Sequence, residues 1–400
     1  MSDFEPIYSE THGESESIKS LREGLENSFS EYYSNLGYQE VSSVPLLEHS
    51  DNSVLFVGAS ISAIKDLLLS GDFPQDTNGV FLFQECIRTG AREHMFDNSW
   101  LPFGQIYFEM ASILSRPGRS SEVISESLEF LLEKMEISQE RIKILSSKNI
   151  CEYSDLDVSV EVEYDSREED FYTWVYGIDG VTGEGLTIAI YNSQLNSWLE
   201  IGNIVSIYDR DGNELGIEFG FGCEYFLTAL KNADNPLQFS KVFDVFDYSD
   251  GLPLKYYYNL EAVAQMKGSG VNIGDHGAEN VYKNYLKSLQ YVAHTLGLSV
   301  DIVVSDLDTY TREVLGVESE FDIEKSFLDE HQRRKENLKS LVKRICVFLW
   351  NDVQGNKHKE YFTDPARTIN DYLLQNGIQK IEVMYLLERL RRFGILEQIN

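Results

Sequence analysis

The sequence predicts an α+β protein, an antiparallel sheet with flanking helices joined to a C-terminal all-helical domain. Three observations carry this. Two apolar runs, one ending in Gln84 and one from Ile106 to Met110, enclose the polar, Gly-containing segment from Glu85 to Trp100, the pattern of a long antiparallel hairpin. A second hairpin is marked in 199–230, where Asp211-Gly212 forms the tight turn between two strand-like runs. Past Asn235-Pro236 the composition turns helical, so the domain boundary is placed near 235, giving domains 1–235 and 236–400.

The remaining elements follow in order. Residues 1–16 are polar and acidic, and read as a frayed start. Ile18, Leu21, Leu25, Phe29, Tyr32 and Leu36 stand at helical spacing, and Gly37 ends that helix. A strand is expected around Val41, Val44, Pro45 and Leu46, and VLFVGASISAIKDLLL from Val54 reads as a strand leading into a second helix. Residues 121–147 predict two helices, the first carrying Ile124, Leu128 and Leu131-Leu132 on its apolar face. The acidic stretch 152–170 has no EF-hand spacing, so a solvated strand-and-loop face is favoured over a calcium site. Gly177, Gly180, Gly183 and Gly185 cluster before a β-branched strand, as an ordinary turn or as a place where backbone N–H groups approach a ligand. Amphipathic helices with basic runs are expected at 322–345 and in LLERLRRF near the end, where solvated faces are the ordinary reading.

Composition narrows the function. Four hundred residues, 42% hydrophobic, suffice for one large or two medium cores. No run approaches the roughly 18 apolar residues that a span requires, and the start lacks the features of a signal peptide, so no membrane is expected and a cytoplasmic location follows. The four cysteines show no CxxC, which argues against zinc and disulfides. Against 34 Lys+Arg stand 66 Asp+Glu, a net charge of −32. Such a surface repels phosphate backbones and draws in cationic small molecules or basic partners.

Chemistry concentrates in the first hairpin. Arg88 sits where the first strand leaves its pairing, and its planar fork there is an anchor for a phosphate or carboxylate, or else one half of a surface ion pair. The run Gln84, Cys86, Ile87, Arg88, Gly90, Arg92, followed after a loop by Phe108-Glu109-Met110, resembles motif 2 of the class II alanyl-tRNA synthetases. Leu55, Phe56, Ala59, Ile64 and Lys65 resemble that family's first conserved stretch, with Ser60 and Ile61 replacing Gly-Met. Trp174, Gly177, Gly180 and Gly183 resemble its Gly-Pro-rich segment, in which Thr187 replaces a glutamate. Glu200, Ile201, Asn203 and Val205, then Glu218, Gly220, Gly222 and Glu224, resemble its motif 3 region. Residues 270–297 resemble the helical domain that embraces the tRNA acceptor stem, and the family's editing domain would lie beyond this chain.

The resemblance implies an ATP site with Mg²⁺, in which Arg88 holds the α-phosphate, Arg92 stands for the family lysine and Phe108 lies against adenine. It implies that Asn203 grips a substrate carboxylate and Glu218 its ammonium, with Ile61 beside the amino acid. Gly220, Gly222 and Tyr225 would border the nucleotide, Glu109 and the motif 3 carboxylates, Glu224 among them, would be Mg²⁺ partners, and Lys65 is a further polar candidate. Three departures are expected to matter: Gly104-Gln105 replace a His-His pair, Gly202 a tryptophan and Tyr225 the motif 3 arginine. Losing one preorganised charged donor of that kind costs about 3–4 kcal/mol of transition-state stabilisation, about 100- to 1000-fold in rate. The expectation is therefore an ATP-dependent enzyme that activates a small, alanine-like amino acid and passes it to a small amine or protein rather than to tRNA. A catalytically silent, amino-acid- or nucleotide-binding regulatory paralog is the alternative, and alanine-tRNA ligation proper the third reading.

Overall fold

The computed structural model describes residues 17–47, 54–89, 103–147, 158–164, 167, 169–247, 254–317, 327–329 and 332. They form two units, one ending at 247 and the other running from 254 to 317. In the first, helix α1 (Ile18–Asn35) starts where Ser17 accepts a hydrogen bond from the Ser20 N–H, and stops at Gly37, whose φ of 84° is open to glycine. Then come β1 (Tyr38–Glu40), α2 (Ile61–Ser70), β2 (Gly79–Ile87) and β3 (Tyr107–Ser115). Helix α3 (Ser120–Glu129) runs on through a π turn at Phe130–Lys134. After it follow β4 (Ile142–Ser146), β5 (Glu161–Tyr164), β6 (Thr173–Val175), β7 (Thr182–Asn192), β8 (Ser197–Tyr208), β9 (Glu214–Gly222) and α4 (Cys223–Leu230).

The strands make one sheet in the order β1-β2-β3-β9-β8-β7-β4-β5, with β6 paired to β7. Only the edge pairs β1–β2 and β4–β5 are parallel; the centre is antiparallel, as the hairpins predicted. One face buries Ile113, Phe219, Phe221 and Ile204 against α1, α3 and α4. At its centre Phe29, fully buried, meets the rings of Phe81, Phe83, Phe130 and Phe221 at 5.5 to 6.2 Å. Its burial contributes about 2–3 kcal/mol. On the opposite face, Ile64 and Leu68 of α2 cover Val80, Leu82, Leu114 and Val205, and leave the β3–β9–β8–β7 strip beside them for the site.

Three expectations change. No strand forms from Val54 ahead of α2, where Val57 makes only isolated bonds, its N–H donating to the Leu46 carbonyl and its carbonyl accepting from the Ile87 N–H. The Pro45 segment is not a strand, because the Gln84 side chain takes both backbone groups of Val44, accepting from its N–H and donating to its carbonyl at 2.9 Å each, in place of a ladder. The second helix expected before 147 is instead strand β4, all five residues buried between β7 and β5. Residues 236–244, beyond the expected boundary near 235, pack on the first unit, with Arg22 donating to the Phe239 carbonyl at 3.1 Å and to Asp244 at 2.5 Å. The second unit packs α5 (Leu254–Gly268) against α6 (Gly277–Thr295) and α7 (Val300–Glu313) around Leu260, Val263, Leu286, Leu289 and Leu307. Its core also carries polar links: the Tyr256 hydroxyl donates to Asp306 at 2.6 Å, and Gln265 to the Tyr310 hydroxyl at 2.9 Å. The basic runs expected at 322–345 and near the end lie outside the described helices.

Candidate functional site

Register sets the floor of the site. Thr187 pairs with Asn203, Asn203 with Gly220 and Gly220 with Ser112, so these side-chain positions share one face of four neighbouring strands. Glycine at 220 and 222 keeps that floor low. A Cβ at 222 would come within 3.6 Å of the Phe108 ring and 3.8 Å of Tyr225, and so would fill the space between them. What results is a cleft of about 470 Å³, bordered by Arg88, Phe108 and Tyr225 at one part and by Trp174, Thr187 and Asn203 at another.

Strand β8 reaches this cleft twice because of a β-bulge. Ala189 pairs with Glu200 while Ile188 pairs with Gly202, which leaves Ile201 as the extra residue. Three residues apart in a regular strand, Glu200 and Asn203 would face opposite sides; the insertion turns both into the cleft. Glu200 is held from outside by Arg167, whose guanidinium donates to it at 2.7 Å and lies 3.8 Å from the Phe171 ring centre.

Arg88 leaves β2 with its N–H bonded to the Ile106 carbonyl and its Nε donating to the Gly58 carbonyl at 2.8 Å. Its guanidinium stands over Phe108, 5.1 Å from the ring centre, with Nη2 3.8 Å from Met110 Sδ, and the residue is exposed. An anchored stem with an exposed fork suits an anion. Tyr225, at the start of α4, meets Phe103 edge-on at 5.5 Å, and burial and then Glu200 push its phenol pKa up.

Glu218 does not itself line the cleft; it stands opposite Val205, two residues from Gly220 and on the same face of β9. It accepts from the Ser60 hydroxyl at 3.1 Å and the Tyr176 hydroxyl at 3.3 Å. Burial raises its pKa, outweighing the two hydroxyls and Arg88, which lower it. Tyr176 reaches Glu218 only because position 183 is glycine: a Cβ there would lie 2.9 Å from the tyrosine ring and 2.5 Å from Val205.

The structure thus brings together Arg88, Phe108, Gly220, Gly222, Tyr225 and Asn203, with Glu218 next to them. It does not bring Glu109 and Glu224 to the cleft. Glu109 alternates to the other face of β3, where its backbone N–H donates to Glu224 at 3.2 Å and its carboxylate lies 3.7 Å from Lys241. There the crowding of carboxylates lifts Glu26 to about 7, through burial and then Glu109. Ile61 and Lys65 lie in α2 and do not border the cleft. Arg92 lies outside the described residues. Sequence reasoning gave no site role to Glu200, Arg167, Phe171, Ser60 and Tyr176, although Glu200 and Ser60 were among the positions compared with the family. A bulge and a glycine seven residues away were the only signals for the placement of Glu200 and Tyr176.

For a nucleotide the residues fit: an anion-ready guanidinium, two aromatic walls and a glycine floor that a Cβ would fill. For Mg²⁺ the nominated carboxylates do not, since Glu109 and Glu224 are turned to the other face, and among the described residues no three His, Cys, Asp or Glu are grouped to hold a metal.

Residues 24–152 match the family model of class II (A) tRNA synthetases. The chain is 23% identical over 297 residues to the alanine-tRNA ligases of Legionella pneumophila strains Paris and Corby, matching 67% of this chain and 32% of each relative. It therefore spans about a third of the length of the curated relatives it matches. A solved structure titled the RNA binding domain of threonyl-tRNA synthetase from Cryptosporidium parvum Iowa II aligns with a TM-score of 0.36 and 10% identity, over 53% of this chain and 64% of that one. The family match over residues 24–152 and these relatives support a class II alanyl-tRNA synthetase-like protein.

Proposed function

We propose that the protein activates a small, alanine-like amino acid with ATP and transfers it to an acceptor other than tRNA. The observation that carries the first half is an exposed guanidinium and an amide lining one cleft, with a carboxylate on the same sheet face beside it: Arg88 for the α-phosphate, Asn203 for the substrate carboxylate, Glu218 for its ammonium. No protein nucleophile is required. The substrate carboxylate attacks the α-phosphorus, pyrophosphate leaves, and Arg88 stabilises the charge that develops. Mg²⁺ enters, on this reading, on the phosphates of ATP. The test is amino-acid-dependent exchange of pyrophosphate into ATP, screened over the common amino acids; folded protein that exchanges with none overturns the reading.

The acceptor half rests on charge. With a net charge of −32 and few basic residues in 270–297, the chain offers little to displace counterions from tRNA. We expect weak tRNA binding: a filter assay at about 0.15 M salt should give no submicromolar affinity, and a submicromolar constant would restore tRNA as acceptor.

One observation favours a second reading, a silent ligand sensor: where the resemblance calls for an arginine near polyphosphate the cleft has Tyr225, with Glu200 beside it. Tyr225→Arg separates the two. If the pocket still takes a nucleotide, the new guanidinium finds Glu200 as a partner and phosphate beside it, and ATP binding tightens about tenfold. If the pocket has been rebuilt for another ligand, melting temperature falls with no gain in ATP affinity.

A further inference from the structure

Thr187 stands where the family resemblance calls for a glutamate, yet it is 97% buried at the floor of the cleft rather than solvated. Its partner is across the strand pair. Thr187 and Asn203 sit directly opposite, immediately past the bulge at Ile201, and the threonine hydroxyl donates to Asn203 Oδ1 at 2.9 Å. We propose that Thr187 is the positioning residue of the amino-acid subsite, aiming the Asn203 amide nitrogen at the carboxylate of the bound amino acid; this rests on the reading of the cleft given above.

An asparagine amide presents an acceptor oxygen on one side and two N–H donors on the other, and its two orientations differ little in shape. Its neighbour decides between them. A hydroxyl donating to Oδ1 holds the oxygen against β7 and turns Nδ2 toward the cleft. In the reverse orientation the oxygen would face the incoming carboxylate, two acceptors in contact with no proton between them. A hydroxyl at 187 suits an asparagine that must donate outward. Glu218, two residues along β9 from the glycine opposite Asn203, completes the subsite from the ammonium side. The groups that donate to it, the Ser60 and Tyr176 hydroxyls, carry no positive charge of their own.

The test uses the full chain, with L-alanine first and then any other amino acid the exchange screen accepts. Thr187→Val keeps the shape and removes the donor. The Michaelis constant for the amino acid should rise about tenfold, while that for ATP and the turnover number stay within about twofold. Thr187→Ser, which restores the hydroxyl, should recover most of that loss. A merely structural threonine would lower stability and affect both substrates alike. Competition supplies the specific readout: alaninol, which has the ammonium but no carboxylate, should bind the valine variant as it binds the native protein, whereas L-alanine should bind less well. Should valine prevent folding, Asn203→Asp replaces the case. It keeps the Thr187 bond but sets an oxygen where the nitrogen stood, and should remove any preference for L-alanine over alaninol.

An unchanged amino-acid constant in Thr187→Val, or an equal rise for ATP, overturns the positioning role while leaving the activation reading intact. Absence of exchange in the native protein overturns the activation reading instead. Calorimetric titration of L-alanine against alaninol then still decides the role of Thr187. No preference for the carboxylate in the native protein would overturn it.

Discussion

Replacing Arg88 by alanine should lower amino-acid-dependent pyrophosphate exchange by about 100- to 1000-fold, the effect of removing one preorganised charged donor from a site where charge develops. The structure says why no neighbour would compensate. Nε is occupied by the Gly58 carbonyl at 2.8 Å and the ring of Phe108 lies beneath, so the fork is held in one direction. Lysine at 88 keeps the charge without the planar pair of donors and should restore less than a tenth of the lost rate. Stability should change little, because the guanidinium is exposed and makes no ion pair among those found for the described residues. Exchange that survives Arg88→Ala unchanged would remove the nucleotide from this cleft.

How far this site can be read in the sequence depends on what each residue needs from its neighbours. Arg88 is legible because it stands at a strand end, and Phe108, Asn203 and the glycines of β9 because they match the motifs of the resemblance; strand alternation then accounts for the face that Asn203 and Gly220 share. Glu109 shows the limit of the same rule. It stands next to Phe108, and adjacency in a strand means opposite faces, so a resemblance that names both for one ligand is at odds with the pleat. Glu200 fails for the converse reason: its spacing from Asn203 points away from the cleft, and only an inserted Ile201 brings it round. The Pro45 segment was misread because a side chain, Gln84, supplies the hydrogen bonds that a strand partner would have supplied. Strand β4 was misread as helix because IKIL, short and apolar, carries no period that separates the two.

Glu218→Gln tests the carboxylate beside the cleft, and should move activity and stability in opposite directions. The amino-acid constant should rise by about 10- to 100-fold, the cost of losing one charged hydrogen bond to the substrate ammonium. The fold should tolerate the change, since both groups that touch Glu218 are hydroxyls, which can accept from the new amide as readily as they donate to the oxygen. Stability should rise, with a defined pH dependence. Because burial raises the Glu218 pKa, folding favours the protonated form, and the carboxyl is no burden below its unfolded value near 4.5. As pH climbs from there through the raised folded pKa, ionisation of the buried group costs the native state increasing stability, and above that pKa the cost is complete. Glutamine never ionises. The melting temperatures of the two proteins should therefore converge near pH 4 and separate toward pH 8, with the variant higher. A saturating amino acid should narrow the gap at pH 8 by supplying the native protein with its missing cation. A variant less stable than the native protein at pH 8, or an amino-acid constant left unchanged, would mean that Glu218 is already neutralised by its surroundings and waits for no ammonium.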